Sequence, residues 1–168
     1  MKKILFAIFL VIVLIMGYQG KLLQRAGFGI INLELAKDGA TGKNILQQWH
    51  GSPYGDGTLL DIAKQNVRLD YFFIVVYVSL LMALANSQMQ LEKSVWLNNL
   101  LRLNLFLAFL TGLLDVIENI MIQHNFHHVL TAEAYWNTYG VALVKFGFAA
   151  FSILVLLLSY LKSVLSFK

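Results

Sequence analysis

The sequence has no cysteine, a single proline and only 13% charged residues. Without a thiol there is no disulfide scaffold, no thiol redox chemistry, no iron–sulfur cluster and no cysteine-ligated zinc. The charged fraction is about half of the roughly 25% found in soluble domains, too little to cover a water-facing surface. No glycine-rich phosphate loop, G-x-S-x-G elbow or Ser/His/Asp arrangement consistent with the topology is present, so the common phosphate-binding and nucleophilic signatures are missing. A basic stripe or stacking platform is also lacking. The net charge of +4 is dispersed and suits lipid headgroups, with no nucleic-acid partner implied.

What the chain has instead is apolar length, since 58% of its residues are hydrophobic. A helix needs roughly 20 mostly apolar residues to cross a hydrocarbon core of about 30 Å. Four stretches read as such helices, at about residues 4–23, 69–86, 97–122 and 139–161. The expected fold is an all-α integral membrane protein, a four-transmembrane-helix bundle forming one membrane domain. Residues 24–68 between the first and second spans are expected to form a small helical extracytoplasmic cap. Met1-Lys2-Lys3 before the first run also resembles a secretory signal, but MGYQGKLLQ offers no small-x-small cleavage site, so an uncleaved anchor is expected.

Lys2, Lys3, Lys93, Lys162 and Lys168 fall on one side, with Arg102 just inside the third helix; Lys21, Arg25, Lys37, Lys43, Lys64 and Arg68 fall on the other. Charges near a helix end weigh most in orienting a chain, which discounts Lys37 and Lys43 in the long loop and favours N-in/C-in. Within the long loop, Thr41 is expected to cap a short helix with Ile45, Leu46 and Trp49 on one face. Thr58 and Asp61 have capping-box spacing and open a helix that no glycine or proline interrupts until well past Asn86. The loop reads either as an amphipathic cap over the helix ends or as an interfacial segment anchored by Trp49. Trp96, Tyr135, Trp136, Tyr139 and Tyr160 fall at span ends, as in an aromatic membrane belt.

Ionisable side chains within a span cost about 2.5–3.5 kcal/mol each on insertion scales, so each is a candidate for function. Asp115, Glu118 and Lys145 are the clear cases. On the third helix Asn104, Thr111, Asp115, Glu118 and Asn119 share a sector of about 100° that must face the bundle, with Gly112 beside it for close helix approach. At 1.5 Å per residue, Glu118 and Lys145 both lie about 9 Å from the same interface and Asp115 about 13 Å, which predicts an Asp115/Glu118–Lys145 ion pair. Asp70, Tyr71 and Tyr77 on the second helix complete a ligand-binding candidate set with Asn119, and Arg68 is a candidate extra cation for a cluster with surplus carboxylates. A purely structural role, fixing helix register, is the competing reading.

His124, His127 and His128 follow the third helix and could ligate a metal, but solvated interfacial histidines are the commoner case and no metal or other cofactor is expected. Sharing one site with Asp115 would require the helix to break at Asn125. Haem is disfavoured because no histidine lies within an apolar span.

The segments RLDYFFIVVY (68–77) and GLLDVIENIM (112–121), preceded by a loop ending ILQQWHG, resemble a family of small four-helix bacterial inner-membrane proteins without an assigned activity. The resemblance implies a bacterial inner (cytoplasmic) membrane location and picks out Asp70, Asp115, Glu118 and Asn119. Three functions follow as expectations. One is binding of a lipid or other amphiphilic small molecule near the outer leaflet. Another is a membrane-embedded isomerase or hydrolase with Asp115 and Glu118 as acid and base. The last is an accessory subunit binding another membrane protein.

Overall fold

Helix starts and stops in this chain have local causes. In a computed structural model describing residues 2–131 and 133–166, α1 (Lys2–Leu23) runs into a 3-10 turn, Gln24–Ala26, that ends at Gly27 with φ 90°. That left-handed conformation favours glycine and lets the chain turn off the helix axis. Lys168, one of the charges used for orientation, lies outside the described residues. A five-residue α2 (Ile30–Glu34) follows, with Gly29 N–H donating to Asn32 Oδ1 at 2.8 Å.

Asp38, not Thr41, caps α3 (Gly39–His50). The Asp38 carboxylate accepts from Thr41 N at 2.7 Å and Thr41 Oγ1 at 3.0 Å. These bonds hold its pKa below the ordinary value, the backbone donor contributing most. Thr41 is therefore the donor three residues into the cap, where sequence spacing alone made it look like the cap itself. Ile45, Leu46 and Trp49 do share the buried face. A hairpin of two-residue strands, β1 (Pro53–Tyr54) and β2 (Gly57–Thr58), turns at Gly55 with φ 58°.

The Thr58–Asp61 capping box is present, and Asp61 Oδ2 accepts from both Thr58 N and Oγ1 at 3.0 Å. It starts α4 (Leu59–Leu91), 33 residues long. Only Glu92–Ser94 separate α4 from α5 (Val95–His127), a connection short enough to set the two antiparallel. The last helix is α6 (Tyr139–Ser166). Four helices are thus long and apolar enough to cross a membrane. Both α4 and α5 overrun the spans expected from hydropathy, because their polar ends are continued by capping and packing.

α1 rests on α4, α4 on α5 and α5 on α6, with a smaller α4–α6 contact. At one end, Lys2 Nζ donates to Ser87 Oγ at 2.5 Å and Lys162 Nζ to Glu92 Oε1 at 2.5 Å. The hydrogen bond from Lys162, then that from Ser94 N, keeps the Glu92 carboxyl below its ordinary range. At the other end, Leu33, Ile45, Leu46 and Trp49 form one apolar cluster with Leu22, Leu23, Leu59, Leu60, Ala63, Val67, Ile122, Phe126 and Val129. Residues 24–58 therefore cover that end of the bundle. Trp49 is fully buried, its Nε1 donating to Phe28 O at 3.0 Å, so it is a core residue of this cover and not an interfacial anchor. Tyr135 is likewise tucked in, its ring lying where a Cβ on Gly42 would stand, and burial pushes its hydroxyl pKa up to about 12. Trp96, Trp136 and Tyr160 remain exposed at helix ends.

The polarity of α5 is the inverse of a soluble bundle's. Its buried residues include Asn104, Thr111, Asp115, Glu118, Asn119 and Asn125, whereas Leu103, Phe106, Phe109, Leu113, Ile117 and Ile120 are exposed. Lipid can solvate that outer face, while the polar stripe has partners only inside. Gly112 sits on this stripe, and a Cβ there would lie 2.6 Å from Val78 Cγ2. The missing side chain lets α4 and α5 approach closely, as small residues do at helix interfaces.

Candidate functional site

Lys145 gathers the site. It lies on α6 and is buried, with its ammonium 2.9 Å from Asp115 Oδ1, 3.4 Å from Glu34 Oε2 and in contact with Glu118 Oε2. Asp115 and Glu118 are three residues apart on α5, so one helical turn presents both to the same neighbour. The expected ion pair is thus present with both carboxylates. Desolvating an ion pair is repaid only when geometry and further hydrogen bonds are good, and Asp115 meets that condition: Tyr77 OH, from α4, donates to Asp115 Oδ2 at 3.0 Å. Glu118 does not, for its Oε1 is buried without a hydrogen-bond partner among the described residues.

Nearer the covered end, Asn119 Nδ2 donates to Asp70 Oδ2 at 2.6 Å and Gln123 Nε2 to Tyr71 OH at 3.2 Å. All seven residues singled out from sequence therefore lie along one stretch of the α4–α5–α6 contact, Asp115, Glu118, Asn119 and Lys145 buried and Asp70, Tyr71 and Tyr77 half-buried. The arrangement is graded: Asp115, Glu118 and Lys145 form the ionic centre, and the Asp70–Asn119 and Tyr71–Gln123 pairs flank it.

Glu34 was not foreseen. It ends α2, and Thr138 Oγ1 fixes that point by donating to Glu34 O at 3.0 Å, just before α6 begins. The cover thereby lowers a carboxylate onto Lys145. Burial raises the Glu34 pKa above its ordinary 4.5, opposed by the Lys145 ammonium and reinforced by Asp115. Nothing local in INLELAKDG marks this glutamate, since its partner is 111 residues away. Arg68, the expected extra cation, is exposed beside Lys64, Gln123, Phe126 and His127 instead. It left the site because α4 turns that residue outward. Three carboxylates (Glu34, Asp115 and Glu118) consequently meet one ammonium, Lys145, among the described residues, and Asp70 adds a fourth carboxylate beside them on Asn119.

The histidines form a separate group. α5 continues unbroken through Asn125 to His127, so they do not join Asp115. His124 and His128 come together with Glu133, whereas His127 points to solvent and His50 is exposed on α3. On the outer surface, an open apolar groove of about 480 Å³ runs between α5 and α6, lined by Leu103, Leu107, Val144, Gly147, Phe148 and Phe151, and shares no residue with the ionic centre.

Neither a protein-family model nor a curated protein nor a solved structure matches the chain.

Proposed function

We propose that this chain is a multi-pass membrane protein that binds a lipid or other amphiphile. The polar head would meet the ionic centre of Glu34, Asp70, Asp115, Glu118 and Lys145, with Tyr71, Tyr77 and Asn119 around it. The apolar tail would lie in the groove between α5 and α6. The observation that carries this reading is the carboxylate surplus: four acidic groups and a single ammonium in a desolvated interior favour an additional cation or hydrogen-bond donor. An amine- or hydroxyl-bearing headgroup supplies that chemistry. In this reading the covered end faces the extracytoplasmic side of a bacterial inner membrane and both termini face the cytoplasm, because Lys37 and Lys43, far from a helix end, count little towards orientation.

Native mass spectrometry of the chain in nanodiscs tests the proposal. A co-purifying molecule of defined mass is expected, lost from Asp115→Ala. Its retention by a folded Asp115→Ala/Glu118→Ala variant would remove the site from consideration.

One asymmetry favours a second reading, acid–base catalysis. Asp115 has donors on both oxygens, while Glu118 Oε1 has none, and divergent environments are what separate the roles of paired carboxylates. Turnover of the bound molecule with a pH profile altered by Glu118→Gln would support catalysis, and an unchanged profile would exclude Glu118 from it.

A further inference from the structure

At the end of α5, outside the ionic centre, two imidazoles and a carboxylate converge. His124 and His128 are spaced i, i+4, which places both on one side of the helix end. Glu133 returns from the following loop, its Oε2 3.0 Å from His128 Nδ1 and 3.9 Å from His124 Nε2. The candidate ligand atoms of the three residues all lie within 4.8 Å of one another.

The surroundings hold this trio in place. The His124 ring stacks on Trp136 at 3.9 Å between centroids and 11° between planes. The Asn125 amide accepts from Trp136 N at 2.8 Å and donates to Trp136 O at 2.9 Å, tying the returning loop to α5. Lys43 Nζ on α3 donates to Thr131 O, securing the same loop from the cover. Thr131 Oγ1 also lies 3.4 Å from His128 Nδ1.

We propose that His124, His128 and Glu133 form a divalent transition-metal site of the kind that takes Zn²⁺. Two imidazoles and one carboxylate are a borderline donor set of the kind zinc takes, with a fourth position left for water. Bonds of about 2.0–2.1 Å in a tetrahedron put ligand atoms about 3.3 Å apart. Rotation of the exposed Glu133 side chain closes its 3.9 Å separation from His124, and the half-buried His128 ring must turn towards the stacked His124 to bring the two imidazoles, now within 4.8 Å, to the same spacing. The outer shell is incomplete, because His124 Nδ1 is buried without a hydrogen-bond partner among the described residues. Such outer partners are worth about 10–100-fold in affinity, so binding is expected to be weaker by about that factor than at a site whose outer shell is complete. Bound metal would clamp the loop between α5 and α6 onto the helix end and leave the ionic centre untouched.

The test is titration of the full chain, tag removed, in nanodiscs with Zn²⁺ by calorimetry and with Co²⁺ by visible absorption. One equivalent should bind, with tetrahedral Co²⁺ bands. His124→Ala, His128→Ala and Glu133→Gln should each weaken binding at least tenfold, about the effect of losing one ligand, while His127→Ala and His50→Ala should leave it unchanged. Circular dichroism and melting without metal establish that each variant is folded. Absence of saturable binding, or equal loss on His127→Ala, would overturn the site. Full binding by Glu133→Gln together with His128→Ala would also overturn it.

Discussion

Lys145 Nζ and Asp115 Oδ1 are 2.9 Å apart on neighbouring helices, both almost fully buried. Removing one partner of such a pair strands the others. Lys145→Met is expected to destabilise the chain by about 3–5 kcal/mol. Adding Glu34→Gln, Asp115→Asn and Glu118→Gln to it should recover most of that loss, since the stranded charges are then gone. Equilibrium unfolding in mixed micelles measures both, and a compensated variant less stable than Lys145→Met alone would refute a paired ionic centre.

Gly112 and Val78 set the distance between α4 and α5. Gly112→Ala places a methyl 2.6 Å from Val78 Cγ2, and the stiff valine cannot rotate out of the way. A loss of about 1–3 kcal/mol is expected, the usual cost of overpacking. Val78→Ala in the same chain should restore part of it. Independent, additive effects in the double-mutant cycle would show that the two residues do not meet.

The position of Glu34 makes docking of the cover depend on pH. Its pKa is raised in the folded chain, so its contribution is fully present below the ordinary 4.5 and declines as pH rises through the higher folded value. Asp38 works in the opposite direction: its lowered pKa gives stability above the ordinary carboxylate value that is lost as pH falls through the folded one. Lys145, Asp115 and Glu118 face Glu34 and are shared by both forms. Hydrogen exchange over residues 30–50, corrected for intrinsic rates, should show protection declining as pH rises above 4.5. Glu34→Gln should flatten that decline, and an identical slope in the variant would rule out Glu34 as its source.

Trp49 is the largest fully buried side chain in the cover. Trp49→Ala should cost about 3–5 kcal/mol, the range for removing a large aromatic from a core. Trp49→Phe keeps most of the packing but leaves Phe28 O without its donor, costing about 1–3 kcal/mol. Loss of exchange protection in α2 and α3 before the long helices would locate the damage. In a Trp96→Phe/Trp136→Phe background, where Trp49 is the one tryptophan left, an emission spectrum typical of a solvated ring would contradict its burial.

Much of this was readable from the chain because membrane-scale apolar runs and polar interruptions obey simple periodicities. The meeting of Asp115, Glu118 and Lys145 followed from counting residues inward from two helix ends, and Gly112 from its place on the polar stripe. Glu34 was not readable, since its position depends on the turns at Gly27 and Asp38 and on the Thr138 hydroxyl, none of which carries a periodic signal. Thr41 and Asp38 exchanged roles because both can cap, and only the extended backbone of Asp38 decides between them. Glu133 escaped notice because proximity to His124 depends on how Asn125 folds the loop back.

The two 33-residue helices are about 50 Å long at 1.5 Å per residue, well beyond a hydrocarbon core of about 30 Å. Length alone would let them slide along the bilayer normal. The cover around Trp49 prevents it, for its irregular backbone cannot enter hydrocarbon unsatisfied. In a membrane it would act as a flange that limits how far the bundle sinks from that side, and a bilayer thicker than the apolar length must thin at its rim, not swallow the shoulder.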